Sequence, residues 1–256
     1  MAISHSMICK GCWQHMRAPI PIRGPLSIPF RAFGVKISRM NPNLCNICET
    51  MFTKVKRRKQ IIVPATILFA DLRGYTELSQ SASSSDVTDL LHGFSDECAE
   101  AVWERDGIVN KFIGDAMLAI FNFPIMRADH VQQAALAARD IQQRWARKQA
   151  GISSAGGATV GLGIGIHTGL ASIGEIGTAY KDFTIIGPTV NLAARIQAQA
   201  KAGEVLASAD VYQQVASLFA TSESRACQLK GIAEPVAVHP LQSGAHTGLG
   251  QRVEQA

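Results

Sequence analysis

Two aspartates in this sequence stand where an apolar run gives way to a turn. Asp71 follows the run IIVPATILFA, and Asp115 lies in the segment KFIGDAML. Two carboxylates that meet in a sheet repel each other unless a cation lies between them, and Mg²⁺ is held by one or two carboxylates together with substrate phosphates. The pair therefore predicts a divalent-cation site, while a turn or cap role is the alternative for either acid alone.

The segment LRGYT, directly after Asp71, contains a glycine that allows the backbone to turn sharply. A run of backbone amides that opens toward a helix can hold a phosphate group. A second glycine-rich stretch, VGLGIGIHTG, lacks the G-x-G-x-x-G spacing and the following helix of a dinucleotide-binding loop. We therefore predict phosphate contacts after Asp71 and reject a dinucleotide-binding loop.

A further polar set, Thr184, Asn191 and Arg195, lies in the segment FTIIGPTVNLAARIQ. Asn191 and Arg195 are four residues apart, so they share one side of a helix. An amide and a guanidinium on one helix face predict contact with a ligand, and a solvated polar face is the alternative.

The first sixty residues contain two C-x2-C pairs, Cys9 with Cys12 and Cys45 with Cys48, separated by 32 residues. Each short pair allows one turn of the chain to supply two thiolates about 2.3 Å from a metal ion, and two pairs complete a tetrahedral zinc site. The gap exceeds the commonest structural spacing. We predict zinc, with an iron–sulfur cluster on the same four-thiolate chemistry or unmetallated thiols as alternatives.

An alternation of strands and helices from Ile61 onward must position these residues. Short apolar runs predict strands, and apolar residues spaced by three to four predict amphipathic helices. Because hairpins interrupt the alternation, an α+β fold with helices on one face of a mostly antiparallel sheet fits better than a doubly wound parallel sheet. The predicted elements are a strand over 61–70, a helix over 86–104, a hairpin about Gly114-Asp115, a helix over 127–149, strands over 159–169 and 170–177, a helix starting near Asn191, and strands over 204–207 and near the end.

The composition fits one domain with an appendage. Of 256 residues, 47% are hydrophobic and 18% are charged, which excludes wholesale disorder and a fibrous repeat. Residues 1–60 carry eleven Lys and Arg against the single acid Glu49, a net +10, and residues 61–256 carry fourteen against nineteen, a net −5. We predict a basic cysteine-rich module over 1–60, a larger domain over 61–241 and a disordered tail over 242–256.

The positive charge of the first sixty residues, densest over Lys54–Lys59, suits nucleic acid, an anionic surface or an acidic partner, and a solvated linker is equally compatible. We expect a regulatory protein partner rather than nucleic acid. No apolar run approaches the roughly 20 residues that span a bilayer, and the start MAISHSMICKGC lacks a secretory signal. We therefore expect a cytoplasmic protein whose six cysteines are thiols or metal ligands.

Residues 64 to about 240 resemble the class III nucleotide cyclase catalytic domain, because several of its motifs follow in order. The segments are ATILFADLRGYT, NKFIGDAMLAIF, GIHTG, GPTVNLAARI and QLKGIAEPVAVHPL. RMNPNLCNICE is also similar to a cysteine-rich leader of some bacterial nucleotide cyclases. The resemblance implies a ferredoxin-like catalytic domain in which helices pack on a mostly antiparallel sheet.

In this family two catalytic domains pair head to tail, and each active site forms across the interface. The resemblance implies that Asp71, the Leu72 backbone and Asp115 of one chain hold two Mg²⁺ or Mn²⁺ ions per site. From the other chain it implies four residues: Lys111, Thr184, Asn191 and Arg195. Because one sequence contains the whole set, we expect a homodimer with two equivalent sites.

The reaction that the resemblance implies is an in-line attack of the ribose 3′-oxygen of ATP on the α-phosphorus, which forms 3′,5′-cyclic AMP and releases pyrophosphate. Asn191 would orient the ribose, and Arg195 would stabilise the charge that builds on the α-phosphate. His167, in GIHTG, is interpreted as a structural residue of a strand rather than a general base.

Phosphate contacts are expected from the backbone amides of Leu72, Gly74 and Tyr75. Lys230 is a further candidate for the triphosphate, although QLKGI has Ile232 where some family members place the phosphate-binding lysine. The role of Lys230 is therefore the less well founded of these assignments.

The choice of base depends on Lys111 and Thr184. A lysine can donate to adenine N1 and a threonine hydroxyl can accept from the exocyclic amine, whereas guanine would need an acceptor where Lys111 stands. The sequence resembles the mainly bacterial subgroup that has threonine in place of aspartate at this position. We predict ATP as substrate. The alternatives are a guanylate cyclase and a metal-binding sensory protein whose cyclase-like domain only dimerises.

Overall fold

The computed structural model describes five stretches of the chain, residues 5–54, 61–154, 159–176, 182–220 and 222–242. Most of the predicted basic cluster over 54–59 and the predicted tail beyond residue 242 lie outside the described residues. None of the helices in these stretches combines the length and the apolar character needed to cross a membrane.

Within the described chain, eight strands form one sheet. They are β1 (Ile61–Arg73), β2 (Ile108–Ile113), β3 (Ala116–Phe121), β4 (Gly161–Ile176), β5 (Asp182–Ile186), β6 (Val205–Ser208), β7 (Arg225–Cys227) and β8 (Val236–Pro240). Their order is β2-β3-β1-β4-β6-β8-β7, and β5 pairs with the far end of β4. Only the β4–β6 pair is parallel among these neighbours, so the predicted mostly antiparallel sheet is confirmed.

Helices cover both faces of this sheet. In the described stretches they are α1 (Lys10–Met16), α2 (Ile28–Ala32), α3 (Asn46–Lys54), α4 (Tyr75–Ser81), α5 (Ser84–Glu104), α6 (His130–Ser154), α7 (Pro188–Gln199) and α8 (Ala209–Val215). On β1, Leu68 and Ala70 belong to the core shared with α5, α6 and α8, whereas Ala65 and Ile67 belong to the core shared with the cysteine-rich segment and α7. The expectation of helices on one face is therefore wrong, because both faces of β1 are apolar.

The predicted elements are largely present, with differences at their ends. β2 and β3 form the hairpin about Gly114-Asp115, and the two strand-like segments over 159–177 form the single strand β4. α5 begins after Ser83, whose hydroxyl oxygen accepts a hydrogen bond from the Asp86 amide at 3.2 Å. α7 begins at Pro188 rather than near Asn191, because proline suits the first helical position.

The glycines of VGLGIGIHTG allow α7 to lie directly on β4. A Cβ atom placed on Gly165 would stand 2.2 Å from the backbone nitrogen of Gln197, and one on Gly163 would stand 2.6 Å from Arg73 Nε. A side chain on Gly165 would collide with the backbone of α7, whereas one on Gly163 would displace Arg73, so Gly165 serves the close approach of this helix to β4.

The cysteine-rich segment packs against the second face of the sheet. Its Ile22, Val35 and Leu44 lie in one buried cluster with Ile108 and Ile120 of the hairpin. The described part of this segment contains three short α-helices, α1, α2 and α3. This segment therefore contributes to the core instead of lying apart from it.

A buried carboxylate joins the cysteine-rich segment to the rest of the chain. Asp106 is 5% exposed and stands between α5 and β2. Lys10 Nζ lies 2.5 Å from Asp106 Oδ1, and Arg127 Nη1 lies 2.9 Å from Asp106 Oδ2. Two cations from different parts of the chain thus contact Asp106, and Arg127 also pairs with Asp129.

The cysteine-rich segment also forms hydrogen bonds with the end of α5 and the start of β2. Asn41 Nδ2 donates to the Gly107 carbonyl at 2.6 Å. The Met40 carbonyl accepts from the Val109 amide at 3.2 Å and from the Trp103 indole at 2.7 Å. The start of β2 is therefore held by hydrogen bonds from residues that lie just before Cys45.

Candidate active site and metal centre

The structure brings Asp71 and Asp115 together, as the sequence predicted. Asp71 is opposite Ala116 in the β1–β3 pair, which places it beside the turn that carries Asp115. The Leu72 amide donates to the Asp115 carbonyl oxygen at 3.2 Å. Two carboxylates from separate segments therefore meet at the end of the central strand.

The carboxylate of Asp71 is half-buried, lies near a second carboxylate and contacts one cation, Arg73. Burial raises its pKa, and the nearby charge of Asp115 also raises it, while contacts with Gln197 and Arg73 act in the opposite direction. Arg73 Nη1 donates to Asp71 Oδ2 at 3.0 Å and Gln197 Nε2 donates to the same oxygen at 3.2 Å. A divalent cation would relieve the repulsion between the two acids, so this donor set fits Mg²⁺ or Mn²⁺.

The segment after Asp71 agrees only in part with the predicted phosphate contacts. The Leu72 amide is occupied by the Asp115 carbonyl, and the Leu72 side chain is buried. This amide is therefore not free to bind a phosphate. Gly74 has φ +86° and directs the chain into α4, which starts at Tyr75. Phosphate contacts from Gly74 and Tyr75, and a metal contact from the Leu72 carbonyl, stay predictions.

Two neighbouring polar pairs, together named the polar cluster, join Lys111 to Asp182 and Thr184 to Asn110. Lys111 Nζ pairs with Asp182 Oδ2. The Thr184 hydroxyl donates to Asn110 Oδ1 at 3.3 Å, and Asn110 Nδ2 donates to the Phe183 carbonyl at 3.1 Å. The predicted base-recognition residues thus contact carboxylate and amide groups of their own chain.

The sequence contains a signal for Asp182 but none for Asn110. Asp182 stands two positions before Thr184, and residues two apart on a strand share one face, so that spacing was available as a signal. Asn110 lies at an irregularity in the β2–β3 pairing, between Val109 and Lys111. Such a bulge redirects side chains, and no local sequence pattern indicated it.

Asn191 and Arg195 lie on α7, and their side chains form no hydrogen bond or ion pair with any described residue. Asn191 is exposed and Arg195 is half-buried. Arg195 Nη2 lies 3.4 Å from the position that a Cβ atom on Gly231 would take. Lys230, the predicted phosphate ligand, is exposed and directly precedes Gly231 in the sequence.

The four cysteines of the two C-x2-C pairs form one buried cluster, and each is at most 1% exposed. All four Sγ atoms lie within 4.8 Å of one another. The Sγ–Sγ distances are 3.6 Å for Cys9–Cys48, 3.5 Å for Cys12–Cys45 and 3.3 Å for Cys12–Cys48. Ligands about 2.3 Å from a central ion stand about 3.8 Å apart in a tetrahedron, so this spacing suits one metal ion.

Backbone amides support the same centre. The amides of Cys12 and Cys45 point to Cys9 Sγ at 3.4 and 3.2 Å, and the Cys48 amide points to Cys45 Sγ at 3.4 Å. Burial raises the pKa of the Cys12 thiol to about 12, whereas hydrogen bonds from Cys48 and Cys9 lower the pKa of Cys45. A second buried thiolate therefore needs a cation, which a bound metal ion would supply.

Comparison with known proteins identifies the domain that contains the acidic pair. The family model described as "Adenylate and Guanylate cyclase catalytic domain" matches residues 58–243. Adenylate cyclase 1 of Rhizobium meliloti (strain 1021) is 30% identical over 152 residues, which are 58% of this chain and 23% of that protein. The adenylate cyclase of Anabaena cylindrica is 32% identical over 141 residues, which are 53% of this chain and 27% of that protein. The matched region thus spans about a quarter of each relative.

Solved structures of both activities resemble this fold. The adenylyl cyclase CyaB from P. aeruginosa superposes with a TM-score of 0.70 at 25% identity, covering 73% of this chain and 98% of that chain. The guanylyl cyclase Cya2 gives a TM-score of 0.68 at 25% identity, covering 73% and 96%. With the family model matched over most of its length, this chain belongs to the adenylate and guanylate cyclase catalytic domain family.

Proposed function

We propose that this protein is an adenylate cyclase that converts ATP to 3′,5′-cyclic AMP and pyrophosphate in a head-to-tail homodimer. The observation that carries the choice of ATP is that Lys111 pairs with Asp182, while the Thr184 hydroxyl, two positions along the same strand, donates to Asn110, the neighbour of Lys111 in sequence. An ammonium group can donate to adenine N1, and a hydroxyl can accept from the exocyclic amine.

The roles proposed for the other residues are those that the resemblance to the cyclase family implies. Asp71 and Asp115 of one chain would hold two Mg²⁺ or Mn²⁺ ions, which promote attack by the ribose 3′-hydroxyl and neutralise the triphosphate. Asn191 of the other chain would orient the ribose, and Arg195 would stabilise the charge that builds on the α-phosphate. Both are open to a partner, because no described residue of their own chain pairs with them.

One observation favours a second candidate, a guanylate cyclase. The carboxylate of Asp182 pairs with Lys111, and a carboxylate can accept hydrogen bonds from guanine N1 and N2. If Lys111 turned away and Asp182 faced the base, the same cluster would select GTP. A silent domain that only dimerises is less well supported, because all the predicted catalytic residues are retained.

Turnover by the purified full chain tests these possibilities. ATP and GTP are supplied separately with Mg²⁺ or Mn²⁺, and the cyclic product is identified by mass. We expect cyclic AMP from ATP, and its loss in Asp115→Ala. Asp96→Ala, an exposed aspartate on α5, is the matched control and should retain full activity. Cyclic GMP as the main product would favour the second candidate, and no product from either nucleotide would count against both.

We further propose that the four buried cysteines hold one Zn²⁺ and that the cysteine-rich segment fixes the start of β2. An iron–sulfur cluster is less compatible, because its thiolates bind different irons and stand farther apart than one ion requires. Elemental analysis should find about one zinc per chain. Cys12→Ser should lose it, while Cys227→Ser, which changes a half-buried cysteine outside the cluster, should keep it.

The proposed regulatory role of this segment depends on its contacts with the turn before Lys111. Asn41→Ala removes the hydrogen bond to the Gly107 carbonyl and leaves the metal ligands intact. We expect this variant to raise the KM for ATP while zinc content is unchanged. An unchanged KM in Asn41→Ala would count against a connection between the cysteine-rich segment and base recognition.

A further inference from the structure

One oxygen of Asp71 connects the acidic pair to α7. Asp71 Oδ2 accepts from Gln197 Nε2 at 3.2 Å and from Arg73 Nη1 at 3.0 Å. Arg73 Nη2 in turn donates to the Gln197 carbonyl at 2.6 Å. Both routes from this carboxylate therefore lead to the same residue of α7.

The position of Gln197 leaves α7 little room to adjust on the sheet. Gln197 is 9% exposed, and its backbone nitrogen would be 2.2 Å from a Cβ atom on Gly165. Its side chain also points to the Gly163 carbonyl, at 3.4 Å. A close-packed contact of this kind transmits a displacement rather than absorbing it.

One of the three guanidinium nitrogens of Arg73 is not used in this arrangement. Its buried Nε atom has no hydrogen-bond partner within the part of the chain that the structure describes, although its two terminal nitrogens are both engaged. A buried unpaired donor is costly, so the guanidinium is held in place by Asp71 and Gln197 rather than by a full set of partners. Its placement therefore depends on what Asp71 is bound to.

The other side of α7 carries Asn191 and Arg195, two residues of the proposed catalytic set. Arg195 stands two positions before Gln197 in the sequence, and Gln197 faces the sheet. In the proposed head-to-tail dimer, Asp71 of a chain serves one active site, whereas Asn191 and Arg195 of that chain serve the other. The contact between Asp71 and Gln197 thus joins two different active sites inside a single chain.

We propose that Gln197 and Arg73 are positioning residues that couple the two active sites of the dimer. This inference rests on the proposed function, because it requires both sites to be shared. When Asp71 binds its ligand in the first site, its Oδ2 is no longer fully available to Gln197 and Arg73. α7 of that chain is then held less firmly, and the second site, which uses its Asn191 and Arg195, binds nucleotide more weakly.

Calorimetric titration of the full chain with 3′-deoxyATP and Mn²⁺ tests this coupling. The analogue lacks the attacking hydroxyl, so that it measures binding without turnover. For the wild-type dimer we expect a second binding step about 5- to 100-fold weaker than the first, beyond the statistical factor. Gln197→Met, which keeps the length of the side chain and removes the amide, should bind at two equal and independent sites.

Two further variants serve as a control for general disturbance of α7 and as a second test in case Gln197→Met misfolds. Gln199→Met places the same change at an exposed position of the same helix and should keep the two unequal steps. Arg73→Lys retains the positive charge but cannot reach both Asp71 and the Gln197 carbonyl, so it should also equalise the steps. If Gln197→Met does not fold, Arg73→Lys decides the question.

The results separate this inference from the proposed function. Equal binding steps in the wild-type dimer, or unequal steps that persist in Gln197→Met and Arg73→Lys, would overturn the coupling and leave the cyclase activity standing. If the wild-type chain forms no cyclic nucleotide and does not bind the analogue, the proposed function fails and the coupling fails with it.

Discussion

The cysteine centre and the active site differ in how much of each a single chain supplies. The centre has four buried sulfur ligands within 4.8 Å of one another, and backbone amides already point to the sulfur atoms. In the proposed active site, Asp71 contacts Arg73 and Lys111 contacts Asp182, while Asn191 and Arg195 have no partner among the described residues. A cysteine cluster that is complete in one chain can be buried, whereas an active site shared between two chains, as we propose, needs groups that a partner and a substrate can reach.

Mixing two inactive variants gives the largest expected effect, because it tests whether the active site is shared. Asp71→Asn and Arg195→Ala should each abolish turnover, since each variant lacks part of every site in its own homodimer. Random pairing makes about half of the dimers mixed, and each mixed dimer has one intact site, so about a quarter of wild-type activity should return. Cyclic nucleotide formation after co-expression is the measurement.

The control for this experiment is to purify the mixed dimer through two different affinity tags. If the mixed dimer is present and still inactive, each active site is formed within one chain. The contrast between a shared active site and a self-contained cysteine centre would then be wrong.

Lys111→Glu should give the next largest effect, on the choice of nucleotide. The glutamate removes the donor to adenine N1 and introduces an acceptor for guanine, so the ratio of kcat/KM for ATP over GTP should fall by about 100-fold or more. The measurement is turnover of each nucleotide by the full chain. Lys201→Glu, an exposed lysine outside the polar cluster, is the control. An unchanged ratio would exclude Lys111 as the base-recognition residue.

Cys48→Ser should lower the stability of the fold. This effect is expected to be smaller than the change in nucleotide choice caused by Lys111→Glu. Because metal binding contributes to folding, loss of one ligand should remove about 3 kcal/mol, and the Tm should fall by about 10 °C. Differential scanning calorimetry with and without added zinc is the measurement. A Tm equal to that of wild type would mean that the cysteine centre does not support the core that it shares with β2 and β3.

The smallest effect is expected for a buried histidine outside both sites. His167 Nδ1 lies 2.8 Å from the Ser208 hydroxyl, and burial lowers the pKa of His167, although the charge of Asp210 acts in the opposite direction. The unfolded chain therefore binds the proton first as the pH falls through 6.5, so that the folded state is neutral and loses stability toward the lower folded pKa.

His167→Gln should remove this part of the acid sensitivity. Between pH 7 and pH 5, its Tm should fall by about 1–3 °C less than that of wild type. His92→Gln, at an exposed position of α5, is the control and should follow wild type. If His167→Gln loses as much stability as wild type, titration of His167 does not contribute.

Sequence reasoning reached those features that depend on local spacing. The two C-x2-C pairs, the hairpin about Gly114-Asp115 and the meeting of Asp71 with Asp115 each follow from a short segment or from two strand ends. It did not reach features that depend on packing between distant segments. The bulge at Asn110 and the contact of Gln197 with Asp71 need the pairing of strands and the approach of a helix, which no local pattern contains.

The charge distribution predicts a boundary near residue 60, but residues on both sides of it share one buried cluster. Residues 1–60 differ sharply in charge from the rest of the chain, yet Ile22 and Leu44 are buried with residues of the hairpin. Electrostatic composition describes the surface of a segment, whereas the core depends on apolar side chains that both parts contribute.

The pairing of Lys10 and Arg127 with Asp106 has a consequence for inheritance of the two parts. Removal of Lys10 would leave the buried acid with Arg127 as its one contacting cation among the described residues, and loss of the whole cysteine-rich segment would also uncover the apolar face that it covers. A cyclase domain that lost the cysteine-rich segment, or received a different segment from another gene, would have to change Asp106 at the same time. We therefore expect the cysteine-rich segment and the catalytic domain to be inherited as one unit, and the residues at positions 10 and 106 to covary.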